Sequence, residues 1–202
     1  MMKSKRHPLF LLTLLFVVGL LAGCTGPQKK MEVVTPDRIP ARPESGKAMV
    51  VFMRPSSMGY GFQSSVFEVR GNQPVLAGIL AQKEKMAYQL DPGEHLFMVI
   101  AESADFMSAE LEAGRVYHAL VTPRMGAWRA RFSLRPIHAP MLDSREFEAW
   151  DSACQWVVKL PESDQWARDN MPSIRSKQTR YYQKWMTKPE SQRPRLLKED
   201  GR

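Results

Sequence analysis

Between residues 47 and 136 the chain breaks into eight short apolar runs, each closed by turn residues, and this spacing limits the possible folds more than any other feature. The runs cover 48–53, 62–70, 75–80, 86–90, 95–101, 106–111, 116–121 and 127–134. Such lengths suit strands and are short for helices. The separators carry turn chemistry: Gly71-Asn72-Gln73-Pro74, Asp91-Pro92-Gly93 and Glu112-Ala113-Gly114. In the second of these, proline presets one corner and glycine accepts a positive φ without steric penalty. Strands joined by turns this short each need one buried face. The pattern therefore predicts a mainly β fold, an antiparallel, immunoglobulin-like β-sandwich, with a helical extension after it.

Three segments of this stretch carry a resemblance: Arg54-Pro55-Ser56-Ser57 after the first run, Asp91-Pro92-Gly93-Glu94-His95, and Ala113-Gly114-Arg115-Val116-Tyr117. Over residues 46–136 the chain resembles an uncharacterised family of bacterial lipoproteins with a β-sandwich domain of unknown function. The resemblance implies a fold and supplies no catalytic residue.

Ahead of the strands lies an export signal. Lys3, Lys5 and Arg6 precede residues 9–21, which hold scarcely a polar atom, and the run closes on Leu21-Ala22-Gly23-Cys24. A cationic start, a short apolar run and small residues before the break make a secretory signal. Residues 9–23, fifteen positions in all, fall short of the roughly 20 that span a bilayer as a helix. The last four residues resemble the bacterial lipobox, whose cysteine is acylated and becomes residue one, so residues 1–23 are expected to leave and Cys24 to anchor the protein through fatty acids such as palmitate. Thr25 stands where aspartate would signal inner-membrane retention, which favours the periplasmic face of the outer membrane. Residues 24–46, with Pro27, Pro36, Pro40 and Pro43, read as a semi-extended tether that joins a sheet only with difficulty.

Residues 137–202 change period. Asp143 and Glu146 suggest a capping box, with Phe147, Trp150, Cys154 and Val157 at helical spacing up to a stop at Pro161. After a break at Pro172, Ile174, Tyr181 and Trp185 form a narrower stripe. From 170 to 198 the chain holds eight cations against the single anion Glu190.

The whole chain carries 29 Lys and Arg against 21 Asp and Glu, a net charge of +8. Removing the signal takes three cations, and the mild excess left is too small and dispersed for nucleic-acid binding; no sequence-reading motif for nucleic acid is present. With Cys24 acylated, Cys154 remains a lone thiol in an oxidising compartment, to be buried or paired with another chain.

Catalytic constellations are thin. Ser64, Ser65, Ser103 and Ser108 share the sandwich region with His95 and His118, but no nucleophile-elbow spacing surrounds a serine. His95 and His118, with Glu94 or Glu102, lack the dense ligand spacing of a zinc site, and ordinary strand positions describe them better. Gly59-Tyr60-Gly61 lacks the strand-to-helix context of a phosphate loop. No cofactor, metal or small-molecule substrate is indicated. The candidate partner-binding residues are Tyr60 and Phe62 on an end loop and Tyr181, Tyr182 and Trp185 in the basic tail, where aromatic area and positive charge would suit an envelope protein or an anionic glycan or lipid. The expected function is a membrane-anchored, non-enzymatic binding or structural module; a periplasmic hydrolase and a sandwich lipoprotein of the type VI secretion kind are the alternatives.

Overall fold

The computed structural model describes residues 29–59, 61–124 and 131–202. Among the described residues eleven strands lie in two facing sheets. In chain order they are β1 (Met31–Val34), β2 (Ala48–Arg54), β3 (Ser64–Arg70), β4 (Gln73–Leu80), β5 (Glu84–Leu90), β6 (Gly93–Ile100), β7 (Ala104–Leu111), β8 (Val116–Arg124), β9 (Arg131–Ile137), β10 (Gln155–Lys159) and β11 (Arg195–Leu196). One sheet has the order β1-β10-β5-β2-β8-β9 and the other β11-β7-β6-β3-β4. The eight apolar runs become β2 to β9, with positions 127–130 of the last run lying outside the described residues. The mainly β sandwich expected from the sequence is what forms.

Between the sheets the core closes on aromatic contacts such as Phe52 on β2 against Phe97 on β6, edge to face at 5.1 Å between ring centres. Every residue of β2 is buried. That follows from its position, paired with β5 on one side and β8 on the other, facing the second sheet inward and a helix outward. A nearly continuous apolar run, Ala48-Met49-Val50-Val51-Phe52-Met53, is what a strand covered on both faces requires. The glycine after Pro92 takes the expected left-handed φ, +126°, at the entry to β6.

Two helices cover the outer faces. Helix α1 (Arg145–Ser152) lies on the first sheet, where Phe147 and Trp150 pack against Val51, Met53 and Leu120. Helix α2 (Pro161–Met186) lies on the second sheet and buries Ala167, Ile174 and Trp185 in the main core cluster. It is long enough to span a bilayer, but its polar sequence does not suit one; among the described residues no helix is long and apolar enough to cross a membrane.

The structure departs from the sequence reading at five points. Pairing is mixed: β2–β8, β5–β10 and β7–β11 are parallel, while the hairpin-linked neighbours are antiparallel. Part of the proline-rich tether is a strand, since Met31 to Val34, which lie between the prolines, pair with Lys159 to Trp156. The predicted 144–160 helix stops at Ser152, and residues 155–159 are β10 instead. Trp156, Val157 and Val158 are β-favouring and find open partners in β1 and β5, which outweighs the helical spacing of Val157. Pro161 therefore starts a helix, at the position where its missing N–H costs nothing, and α2 runs through Pro172, whose ring is exposed. The first helix is capped by the Ser144 hydroxyl accepting from the Phe147 N–H at 3.1 Å, while Asp143 pairs with Arg202.

Candidate functional site

The chemistry-bearing side chains gather where the later half of α2 crosses one end of the sandwich. The helix presents Trp185 to the sheet, and the residues on its flank, Arg180, Lys184 and, just past its end, Lys188, stand beside Ser103 and Asp105 from the start of β7 and Arg124 and Arg131 from the facing ends of β8 and β9. Together with Tyr181 they enclose a cleft of about 340 Å³, a size in the range of small-ligand sites. Five cations surround one carboxylate. Asp105, 6% exposed, lies 3.9 Å from Arg124 and 3.6 Å from Lys188, leaving Arg131, Arg180 and Lys184 with no acidic partner among the described residues. Ser103 and Trp185, 4% and 5% exposed, line the same cleft, and the Ser103 hydroxyl and the Trp185 indole nitrogen have no hydrogen-bond partner among the described residues. A buried polar group without a partner is costly.

Of the residues singled out in the sequence, Tyr181 and Trp185 line this cleft. Trp185 is largely a packing anchor: its ring is buried against Phe106 and under Tyr182, with the Arg193 guanidinium 5.3 Å from its centre. Tyr182, partly exposed, lines a separate groove with Trp185 and Met186 and lies edge-on to Phe106 at 5.4 Å. Phe62, 51% exposed, belongs to the loop after β2 and borders an adjacent groove with Trp166, Asn170 and Lys177 of α2. Lys177 donates to the Ala101 carbonyl at 2.7 Å, in the turn that leads to Ser103, so the groove and the basic cleft are neighbours. Tyr60 and Cys24 lie outside the described residues. Arg124, Arg131 and Asp105 escaped sequence reasoning, which weighs Ser103 only as a hydroxyl for a histidine; the one available signal is an arginine at each end of the β8–β9 connection.

The loop bearing Phe62 is held from inside. Arg54, fully buried at the end of β2, donates to the carbonyls of Phe62 at 2.7 Å, Leu80 at 3.1 Å and Gly59 at 3.1 Å, and lies 4.3 Å from the centre of the Phe132 ring. Burial lowers its guanidinium pKa, partly offset by nearby Glu84, and carbonyl acceptors take the place of a carboxylate partner. Met58, 54% exposed, shares this loop.

The histidines and serines separate. His95 faces the interior from β6, with Nδ1 2.9 Å from Glu68 and Nε2 2.9 Å from the Asp91 carbonyl. His118 is on β8 in the other sheet, edge-on to Phe147 at 5.0 Å, and burial pushes its pKa down to about 4. The two therefore lie on opposite sheets and not on neighbouring strands. The Ser64 hydroxyl donates to Leu80 O and the Ser108 hydroxyl to Pro194 O; among the described residues no hydrogen bond joins a serine hydroxyl to a histidine. A larger groove, about 710 Å³, runs between α1 and the β8–β9 pair past Leu120, Ile137, Met141 and Trp150, and is mostly apolar.

No family model matches the chain, and no curated protein matches it.

Proposed function

We propose that this chain is a lipid-anchored envelope protein, held on the periplasmic face of the outer membrane through Cys24, that acts as a non-enzymatic binding module and takes an anionic partner at the basic cleft. The observation that carries the reading is the charge arrangement: five cations around the single carboxylate of Asp105. Such a cleft concentrates anions and orients them, and among the described residues that line it no nucleophile is hydrogen-bonded to a base. The anchor rests on Leu21-Ala22-Gly23-Cys24. The sandwich supplies a rigid frame, since Arg124, Arg131 and Asp105 stand on strand ends and Arg180 and Lys184 on one helix.

Retention of the full-length protein on immobilised heparin, used as a generic anionic polymer, tests the cleft. Arg180→Glu with Lys184→Glu should elute at markedly lower salt than the wild type, while Arg38→Glu with Arg42→Glu, remote in sequence and on the other sheet's side, should shift elution less. Equal shifts from both pairs would remove the cleft as the anion site.

A further inference from the structure

Three features that have separate causes lie along α2: an apolar tip beside its middle, charge over its later half and chain entry at its first turn. The first is the tip: Met58 and Phe62 are each more than half exposed, on a loop whose carbonyls accept from the buried Arg54. Large apolar side chains are normally exposed singly and need no explanation, but two on one loop form an apolar projection. The second is charge. The flank of α2 from the Phe62 groove onward carries Lys177, Arg180 and Lys184, and Arg131 lines the cleft with the last two.

The third is the point of chain entry. The Lys30 carbonyl accepts from the Leu160 N–H at 3.0 Å and from the Ser163 hydroxyl, at the first turn of α2. Trp166 and Asn170, which border the Phe62 groove, follow one and two turns later, roughly 5–10 Å along the axis at the ordinary helical rise. From Cys24 to Lys30 is six residues, a reach of at most about 20 Å even when fully extended. A domain of this size is roughly 40 Å across. An anchor so short does not let the domain turn freely; it holds the Phe62 side of the molecule near whatever holds Cys24.

The geometry points to docking of this side, along α2, on an anionic phospholipid bilayer, with Met58 and Phe62 entering the headgroup region and the cations of α2 and β9 lying over the phosphates. The inference rests on the lipid-anchor reading above and deepens it by naming the anionic partner of the cleft as the membrane surface itself. Apolar insertion and anionic attraction strengthen one another at an interface, and each Lys or Arg brought to an anionic surface contributes roughly five-fold in binding constant.

The test uses the full-length protein reconstituted into vesicles of phosphatidylcholine alone or of equal parts phosphatidylcholine and phosphatidylglycerol. A fluorophore is placed through Met58→Cys, and in a second preparation through Ala113→Cys in the exposed turn between β7 and β8, at the far end of β7 from Ser103; both carry Cys154→Ala. With phosphatidylglycerol, position 58 should be quenched by brominated lipid and shielded from iodide, and position 113 should show neither effect. In phosphatidylcholine alone the difference should shrink several-fold, and Arg180→Glu with Lys184→Glu should reduce it as much in the anionic vesicles. If position 58 is as open to iodide as position 113 in the anionic vesicles, or if its quenching ignores both lipid charge and charge reversal, docking is overturned while the anchor and the heparin result stand. A second fluorophore found on Cys24 would show an unacylated cysteine and overturn the anchor reading and this inference together.

Discussion

The Tyr88 hydroxyl, on β5 of one sheet, donates at 2.7 Å to the Glu68 carboxylate on β3 of the other, so a single buried carboxylate ties the two layers together. Arg70 donates twice to the same oxygen, at 2.9 and 2.7 Å, and His95 approaches its second oxygen at 2.9 Å. Burial alone would raise the Glu68 pKa; the hydrogen bonds from His95, Arg70 and Tyr88, with the Arg70 charge, outweigh it and hold the group at about 2.

A carboxyl lowered on folding stabilises the protein above its unfolded pKa and loses that contribution as pH falls. The Glu68 contribution should therefore be complete above about pH 4.5 and vanish towards pH 2. Glu68→Gln should cost about 2 kcal/mol at neutral pH, and urea melts across this window should show a shallower acid loss for the variant. An unchanged pH profile would mean that Glu68 is not the group that titrates.

His118 acts higher on the pH scale. Its pKa drops from 6.5 to about 4 because burial disfavours the charged ring, with Lys85 and Arg202 adding to the effect against Asp151. The unfolded chain then takes up a proton before the folded one does, so stability should fall as pH drops from 6.5 towards 4. His118→Leu should flatten that part of the curve. A slope that survives the substitution would assign it elsewhere.

Arg54 makes a third case. Arg54→Met keeps much of the apolar stem but leaves the Phe62 and Gly59 carbonyls without their Arg54 donor, while Leu80 keeps Ser64, and should cost roughly 2–4 kcal/mol. Limited proteolysis should then find the 56–62 loop cut much faster than in the wild type. Arg54→Lys should rescue little, because one ammonium cannot span carbonyls that a planar fork reaches together.

Cys154 is free and 7% exposed, and burial lifts its thiol to about 11. Native protein should resist a water-soluble maleimide and react on denaturation, and Cys154→Ala should cost on the order of 1 kcal/mol. Fast native labelling, or a dimer on a non-reducing gel that the variant abolishes, would place the thiol at the surface.

The strands were legible because alternation and turn residues are local signals: Asp91-Pro92-Gly93 turns where its chemistry says it should. What was not legible depends on distant partners. Residues 155–159 satisfy helical spacing and strand composition alike, and only the open edges of β5 and β1 decide between them. Met31 to Val34 looked like a tether because the prolines around them dominate the composition, yet none of those four residues is a proline. The same holds for the cleft. Tyr181 and Trp185 were visible in a basic, aromatic tail, but Arg131 and Asp105 join them only through the packing of α2 on the second sheet.

The N-terminal strand also sets an order of events in folding. Lys30 and Ser163 are 133 residues apart in the chain, and Arg115 reaches Gly201 across 86. Contacts of such high sequence separation form late, because the loops they close must first lose their entropy. The central hairpins can assemble as soon as they are made, while β5 keeps an unpaired flank until β10 arrives, and β10 keeps one until β1 returns to it. An exposed strand flank is a site for pairing with other chains. A chain shortened at either end would therefore keep much of its core and lose its edge protection, and should self-associate before it unfolds.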